Sequence, residues 1–449
     1  MAVERDKRGG IGPYDVIIVG GRPAGSTLAI RLGRAGLRVL IVDQARFPSP
    51  HPVSASFLLP HALAILDELG FQESVYAEGT PKITSFVLEM GDYFRSILPF
   101  QSTLAGRDYF YTIDRSRLDG ALWQGLKSLP TVRALEGTKV VELLKDGQGK
   151  VLGVVLEHRD GAREEHRAGA VIGADGRFSM VARAVGAVTT EARDDVQTTV
   201  YYDHWKSIGD YNDSGEVLAQ IYSSCDGFSV LGMPTADDKT IILVQGRADR
   251  FAAMEGDPES KYMSLLRARP RIWRRLEGRV RVGKLAGMKR INNLFREPCG
   301  PGWALCGDAY HQKDSIDAQG IYDALVGAKI LAQELERWHR GDVSFNTAVA
   351  NYGNRIYAAC KPMFDSTMAR LEREVYAELP PMVAKTMMRW MMSDPEYGRR
   401  FAQLITRQIE PASFMPPSKL VKFVVKGAFR RARRRFAGAD PTDPHPLRV

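Results

Sequence analysis

Apolar positions along this chain follow two periods, and their order outlines its elements. Tyr14-Asp15-Val16-Ile17-Ile18-Val19 is a short run rich in β-branched residues, the pattern of a buried strand. Gly20-Gly21-Arg22-Pro23-Ala24-Gly25 follows and opens a helix to about Arg34; Gly36 ends it, and Arg38 to Val42 form a second apolar strand that stops at Asp43. A proline-rich loop, Phe47 to Val53, leads to a helical stripe of Ala62, Leu63, Ile65, Leu66 and Leu69 between Pro60 and Gly70. Alternating residues predict strands from Lys82 to Pro99, and Asp114 predicts an N-cap for a helix over Arg115 to Leu126. Val140 to Leu144 and Val151 to Glu157 predict a hairpin across Asp146-Gly147, and Ala170 to Gly176 a buried strand with its turn. Gln197 to Gln245 is rich in aromatic and β-branched residues with turn signals between, as in an antiparallel sheet. Helical spacing returns from Glu259 to Arg275. Trp303 to Cys306 is a short strand, and from Gly320 to Trp338 onward the pattern is helical, broken by Pro380-Pro381 and Pro416-Pro417.

At 449 residues the chain is long enough for two or three domains. No apolar run reaches the roughly 20 residues of a membrane helix. Met1 to Gly12 is polar and lacks the apolar core of a signal peptide, so a cytoplasmic protein is expected. Cys225, Cys299, Cys306 and Cys360 show no C-x-x-C spacing, which suggests reduced thiols, and no histidine pattern suggests a metal. The net charge of +9 is local. Eight basic residues and no acid lie between Lys419 and Arg435, and without them the charge falls to +1, which argues against nucleic acid.

The strand, glycine turn, helix, strand and acidic residue from Tyr14 to Asp43 form a βαβ unit of the kind that holds an adenine dinucleotide. A helix N-terminus offers unpaired N–H groups and partial positive charge to a pyrophosphate. Gly20 allows the tight turn and Gly25 close packing of helix on strand. Arg22 stands where the middle glycine is usual. Either its guanidinium pairs with the phosphates, or Gly21 takes over the close approach.

Three separated segments coincide with this unit: Val19 to Gly25; Gly173-Ala174-Asp175-Gly176-Arg177-Phe178-Ser179; and Gly302 to Ala309 with Asp314 and Ala318-Gln319-Gly320-Ile321. Together, from Tyr14 to about Leu335, they resemble FAD-dependent oxidoreductases of the para-hydroxybenzoate hydroxylase fold, the group A flavin monooxygenases. The match is to a bacterial branch that also carries arginine in the first loop. The resemblance implies an α/β (α+β) protein: a Rossmann-type FAD-binding domain (residues 1–80, 105–190 and 291–345), an antiparallel-sheet substrate domain (81–104 and 191–290) and a C-terminal helical region (346–449). It implies FAD held by Gly20, Gly21, Arg22, Ala24 and Gly25, with Asp43 on the adenosine ribose. Arg115 would reach the cofactor from its helix, and Asp175 would belong to the second fingerprint. Gly307 and Asp308 would meet the ribityl chain, and Gly320 and Ile321 would open a helix aimed at the flavin pyrimidine. NAD(P)H would bind transiently, or a partner reductase would supply electrons. The implied activity is oxygenation of a small aromatic or hydrophobic molecule through a C4a-hydroperoxyflavin.

Ser315 replaces the family's usual proline, and Asp317 and Tyr322 also depart from its pattern. Asp317 is either a base or a cap for the following helix, and His311 either a pocket acid/base or a packed histidine; with Tyr322 they are the catalytic candidates. Tyr201, Tyr202, Trp205, Tyr222 and Phe228 are candidates for the pocket roof. Halogenases share the fold, and Lys82 is either roughly where their lysine would lie or an ordinary exposed lysine; their tryptophan-rich signature is absent. A prenyl-lipid reductase at a membrane surface is the other alternative. Residues 418–436 form a basic amphipathic helix, suited to packing on the body, to an acidic carrier protein or to an anionic membrane.

Overall fold

A computed structural model describes residues 14–436 apart from 51–53, 55, 92, 103, 209–210, 212–215, 224–225, 378–381 and 393. Met1 to Gly12, Val53, Cys225 and Pro380-Pro381 therefore lie outside the described residues, as do the side chains of Arg431, Arg434 and Arg435. Eight helices carry the description: α1 Pro23–Arg34, α2 Pro60–Glu68, α3 Arg115–Leu126, α4 Gly320–His339, α5 Phe345–Leu371, α6 Met382–Met392, α7 Pro395–Ile405 and α8 Pro417–Phe436.

Five strands run parallel in the order Trp303–Leu305, Arg163–Gly173, Tyr14–Val19, Val39–Asp43 and Val132–Glu136. Ile18 lies opposite both Ile172 and Ile41. The strands are apolar because both faces are covered, and Val16, Ile17 and Ile18 are fully buried. Lys139–Lys145 and Val151–Glu157 pair antiparallel as the pattern predicts. Asp114 caps α3, its carboxylate accepting from the Ser116 amide at 2.8 Å. Helices α4 and α5 bury Leu325, Leu331, Tyr352, Ile356 and Phe364 in the same core as this sheet.

The second sheet holds Ser85–Met90, Phe94–Pro99 and the four long strands Thr198–Lys206, Leu218–Ser223, Phe228–Thr235 and Lys239–Arg247. It is antiparallel except where Leu218–Ser223 runs parallel to Ser85–Met90. One face packs on helices Ala248–Ala253, Pro258–Arg267 and Pro270–Leu276 through Tyr201, Trp205, Tyr222, Tyr262 and Leu266. The other face gathers Phe86, Phe100, Phe110, Tyr202 and Leu243 with Tyr397, Ile405 and Phe423 of the C-terminal helices. The fold is a Rossmann-type domain joined to a sheet-built domain and capped by helices. Among the described residues no helix is long and apolar enough to cross a membrane.

Candidate functional site

Three strand ends meet at one edge of the first sheet. The Gly20 amide donates to Val42 O, the Ala174 amide to Val19 O and the Cys306 amide to Gly173 O, each at 2.8 Å. The turns that follow these strands are therefore neighbours. Gly20 has φ +104°, and a Cβ there would run into the Ala174 carbonyl. A Cβ at Gly25 would overlap the Gly20 carbonyl oxygen, so α1 starts as close to its strand as a backbone allows. Gly307, with φ +63°, lies between two helices: a Cβ there would be 3.0 Å from Cβ of Ala24 in α1 and 3.7 Å from Cβ of Ala324 in α4. No side chain caps either helix, since neither Arg22 before α1 nor Gln319 before α4 makes a capping bond. Two uncapped N-termini thus converge on one turn, and Gly320 faces open space.

The acidic residues at these turns differ in what they do. Asp43 accepts from the Gly21 and Ala45 amides at 2.7 Å each; burial raises its pKa, and those amides oppose the rise. Asp175 accepts from Ser179 Oγ at 2.5 Å and from the Met180 amide at 2.7 Å, so its side chain caps the short helix Met180–Val185. Its backbone is what lies against Gly20. Asp308 is one-third exposed and ion-pairs with Arg177 at 3.0 Å.

Arg22 stands in the glycine turn, immediately before α1, and its side chain is bonded to protein groups. Its guanidinium contacts Asp119 at 2.5 Å and the Ser49 hydroxyl at 3.3 Å, beside the Phe47 ring. Arg115 donates to the same carboxylate twice, at 3.1 Å, and to Ser54 at 3.0 Å. Asp119 is fully buried between the two arginines. Sequence reading missed it, although the i,i+4 spacing from Arg115 carried the signal. Gly21 is needed for packing, because a Cβ would clash with the Trp123 ring of α3.

Beneath the start of α4, Asp317 belongs to a buried ionic cluster whose other members, Lys313, Asp323 and Arg407, sequence reading missed. Lys313 Nζ is 2.8 Å from both Asp317 and Asp323, and Arg407 donates to Asp323 at 2.6 Å and to Gln319 at 3.1 Å. Burial works against both charges. The two carboxylates outweigh it and raise the Lys313 pKa, while the two cations hold the Asp323 carboxyl far below the usual range. Asp317 also accepts from Thr367 of α5 at 2.9 Å and from the Gln319 amide at 3.2 Å, so its carboxylate is bound on several sides. His311 stacks on Phe295 with ring centres 4.2 Å apart, and burial drives its pKa down to about 3. Tyr322 packs 3.9 Å from the His61 ring, and His61 Nε2 lies 3.2 Å from Gln319 Oε1. A small cavity of about 20 Å³ opens between Arg177, Asp308, His311, Lys313, Gly320 and Asp323. Among the described residues, His311, Asp323 and Cys360 bring metal-ligating atoms within 4.8 Å of one another, but the Lys313 ammonium already supplies the cation there.

The aromatic roof needs correction. Strand alternation turns Tyr201 and Trp205 away from Tyr202. Tyr201, Trp205, Tyr222 and Phe228 pack against the outer helices, and only Tyr202 of the five faces the C-terminal helices. The rings gathered with Tyr202 in that core are Phe57, Phe86, Phe100 and Phe110. Lys82 is exposed, its ammonium 4.0 Å over the Tyr109 ring.

Residues 13–346 match the FAD binding domain family. The chain is 25% identical over 349 residues to a 1H-pyrrole-2-carbonyl-(peptidyl-carrier protein) chlorinase of Pseudomonas fluorescens, covering 72% of this chain and 75% of that protein. It is 35% identical over 180 residues to the 6-methylpretetramide 4-monooxygenase of Streptomyces rimosus, covering 38% of this chain and 40% of that protein. The flavin-dependent brominase Bmp2 shares the fold, with a TM-score of 0.75 at 19% identity over 94% of this chain and 99% of that one. The uncapped helix ends and the glycines between them fit a dinucleotide that carries a negative pyrophosphate and an electron-accepting ring. This chain belongs to the FAD binding domain family and is an FAD-dependent oxidoreductase.

Proposed function

We propose that the protein is a monooxygenase that inserts one atom of dioxygen into an aromatic or otherwise hydrophobic molecule, while NAD(P)H supplies two electrons and the second oxygen atom leaves as water. One observation carries this reading. Ala318, two residues before the uncapped end of α4, packs against the cluster of Phe86, Phe100, Phe110 and Tyr202. An apolar lining thus borders the place where the ring of the cofactor belongs. FAD supplies the redox chemistry with oxygen. The chain's own groups bind and orient. Gly20, Gly21, Ala24 and Gly25 place the α1 amides at the pyrophosphate, and Asp43 holds the ribose. Gly307 and Asp308 hold the ribityl chain, and the Gly320 and Ile321 amides face negative charge on the reduced ring. Arg22 and Arg115, joined by Asp119, support the loop over the dinucleotide from the side. His311 stays neutral and Asp317 stays paired, so both act as positioning residues beneath α4.

A second reading is halogenation of a carrier-tethered substrate, favoured by the chlorinase relative across 72% of this chain. The test is a ligand screen with purified, FAD-loaded protein. The monooxygenase reading expects NAD(P)H consumption that a hydrophobic aromatic ligand accelerates, that requires oxygen, and that yields a product heavier by one oxygen atom. A product containing halogen, or saturation of a double bond without oxygen, would refute it.

A further inference from the structure

Eleven large hydrophobic side chains are exposed among the described residues, and five of them sit together on the last helices: Met382 of α6, and Leu420, Val421, Val425 and Phe429 of α8. Val421, Val425 and Phe429 follow at i, i+4 and i+8, so they form one stripe, 62%, 47% and 72% exposed. The opposite side of α8 is occupied. Phe423 is fully buried, a Cβ on Gly427 would strike Trp390 of α6, and Arg430 pairs with Asp394 at 2.8 Å. Along the edge of the stripe, Lys419, Lys422 and Lys426 all gather on one carboxylate, Glu396. Positive charge is therefore in surplus, and the eight basic residues of this segment have no acid among them.

We propose that this outer face of α8 rests on an anionic phospholipid surface, with the helix lying in the interface rather than crossing it. Val421, Val425 and Phe429 offer no side-chain hydrogen-bonding group, whereas a protein–protein patch makes about one hydrogen bond per 100–200 Å². The boundary between headgroups and acyl chains accepts bare apolar side chains, and anionic headgroups pair with long cations in no fixed geometry. The proposal is independent of the reaction at the flavin site.

Sedimentation of the FAD-loaded protein with vesicles tests it. Vesicles of phosphatidylcholine mixed with phosphatidylglycerol should carry the protein down, phosphatidylcholine alone should not, and added salt should release it. Lys422→Gln and Lys426→Gln should each lower partitioning about fivefold, the effect of about one surface charge. Phe429→Ser should also weaken binding, while FAD content and the melting temperature stay at parental values. Absence of binding to mixed vesicles, binding indifferent to all three substitutions, or capture of an acidic acyl carrier protein in place of vesicles would overturn the proposal. The oxidoreductase assignment is read separately, from FAD content.

Discussion

The Arg177 guanidinium lies 3.0 Å from the Asp308 carboxylate, joining the turn after Arg163–Gly173 to the turn after Trp303–Leu305. Both side chains are partly exposed, so the pair contributes only about 0–1 kcal/mol to folding. Its place is between two sequence-distant turns that border the same cavity. Asp308→Ala should therefore leave the melting temperature nearly unchanged while weakening FAD binding about tenfold, the loss of one good hydrogen bond to a polar ligand group. Fluorescence titration of the flavin-free protein with FAD measures this.

Asp119 bridges Arg22 and Arg115 with no exposure of its own. Asp119→Ala leaves two guanidinium groups without their shared anion and should cost about 3 kcal/mol, the low end for a broken buried pair because Arg22 is partly solvated. Urea denaturation of the variant beside the parent protein gives the figure. Asp119→Asn, which still accepts hydrogen bonds, should fall between.

Burial lowers the pKa of both His61 and His311 from 6.5 to about 3. Between these values the unfolded chain binds protons that the folded chain refuses. Each histidine thus contributes stability that is whole above pH 6.5 and is lost as pH falls toward 3, at up to about 1.4 kcal/mol per pH unit. The depressed Asp323 carboxyl acts in the same direction at lower pH, and the raised carboxyls of Asp43, Asp175 and Asp314 oppose it. Denaturation of His61→Gln at several pH values isolates one histidine: its slope between pH 6.5 and 4 should be shallower than the parent's.

Lys82 lies exposed on the Tyr109 ring. Under the monooxygenase reading Lys82→Ala should change substrate-stimulated NAD(P)H oxidation by less than about twofold, since a solvated lysine makes only a weak cation–π contact. Loss of product formation with oxidation intact would favour the halogenase reading instead.

The chemistry that depends on neighbours in sequence was legible, and the rest was not. The run Tyr14 to Asp43 declares its strands by apolar β-branched residues and its turn by glycine, and Asp114 announces α3 because a cap acts on the next residues. The aromatic roof failed on a parity: Tyr201 and Tyr202 are consecutive and point to opposite faces, and only the helices packed on the outer face decide which of the two looks inward. Lys313 escaped notice because a lysine is ordinarily a surface residue, and its burial needs Asp323 from the next helix. Arg407 arrives from 84 residues beyond Asp323, a pairing that no local pattern signals.

The most direct test of the account concerns Gly307, where the uncapped ends of α1 and α4 meet. Titration of FAD into flavin-free protein, followed by the visible flavin spectrum, should reach one FAD per chain in the parent. In Gly307→Val, where the branched side chain meets Ala24 and Ala324, the affinity should collapse while circular dichroism shows the helices and sheets intact. A colourless parent that takes up no added FAD, or a folded Gly307→Val protein that binds it as tightly as the parent, would contradict the claim that these two helix ends hold the cofactor.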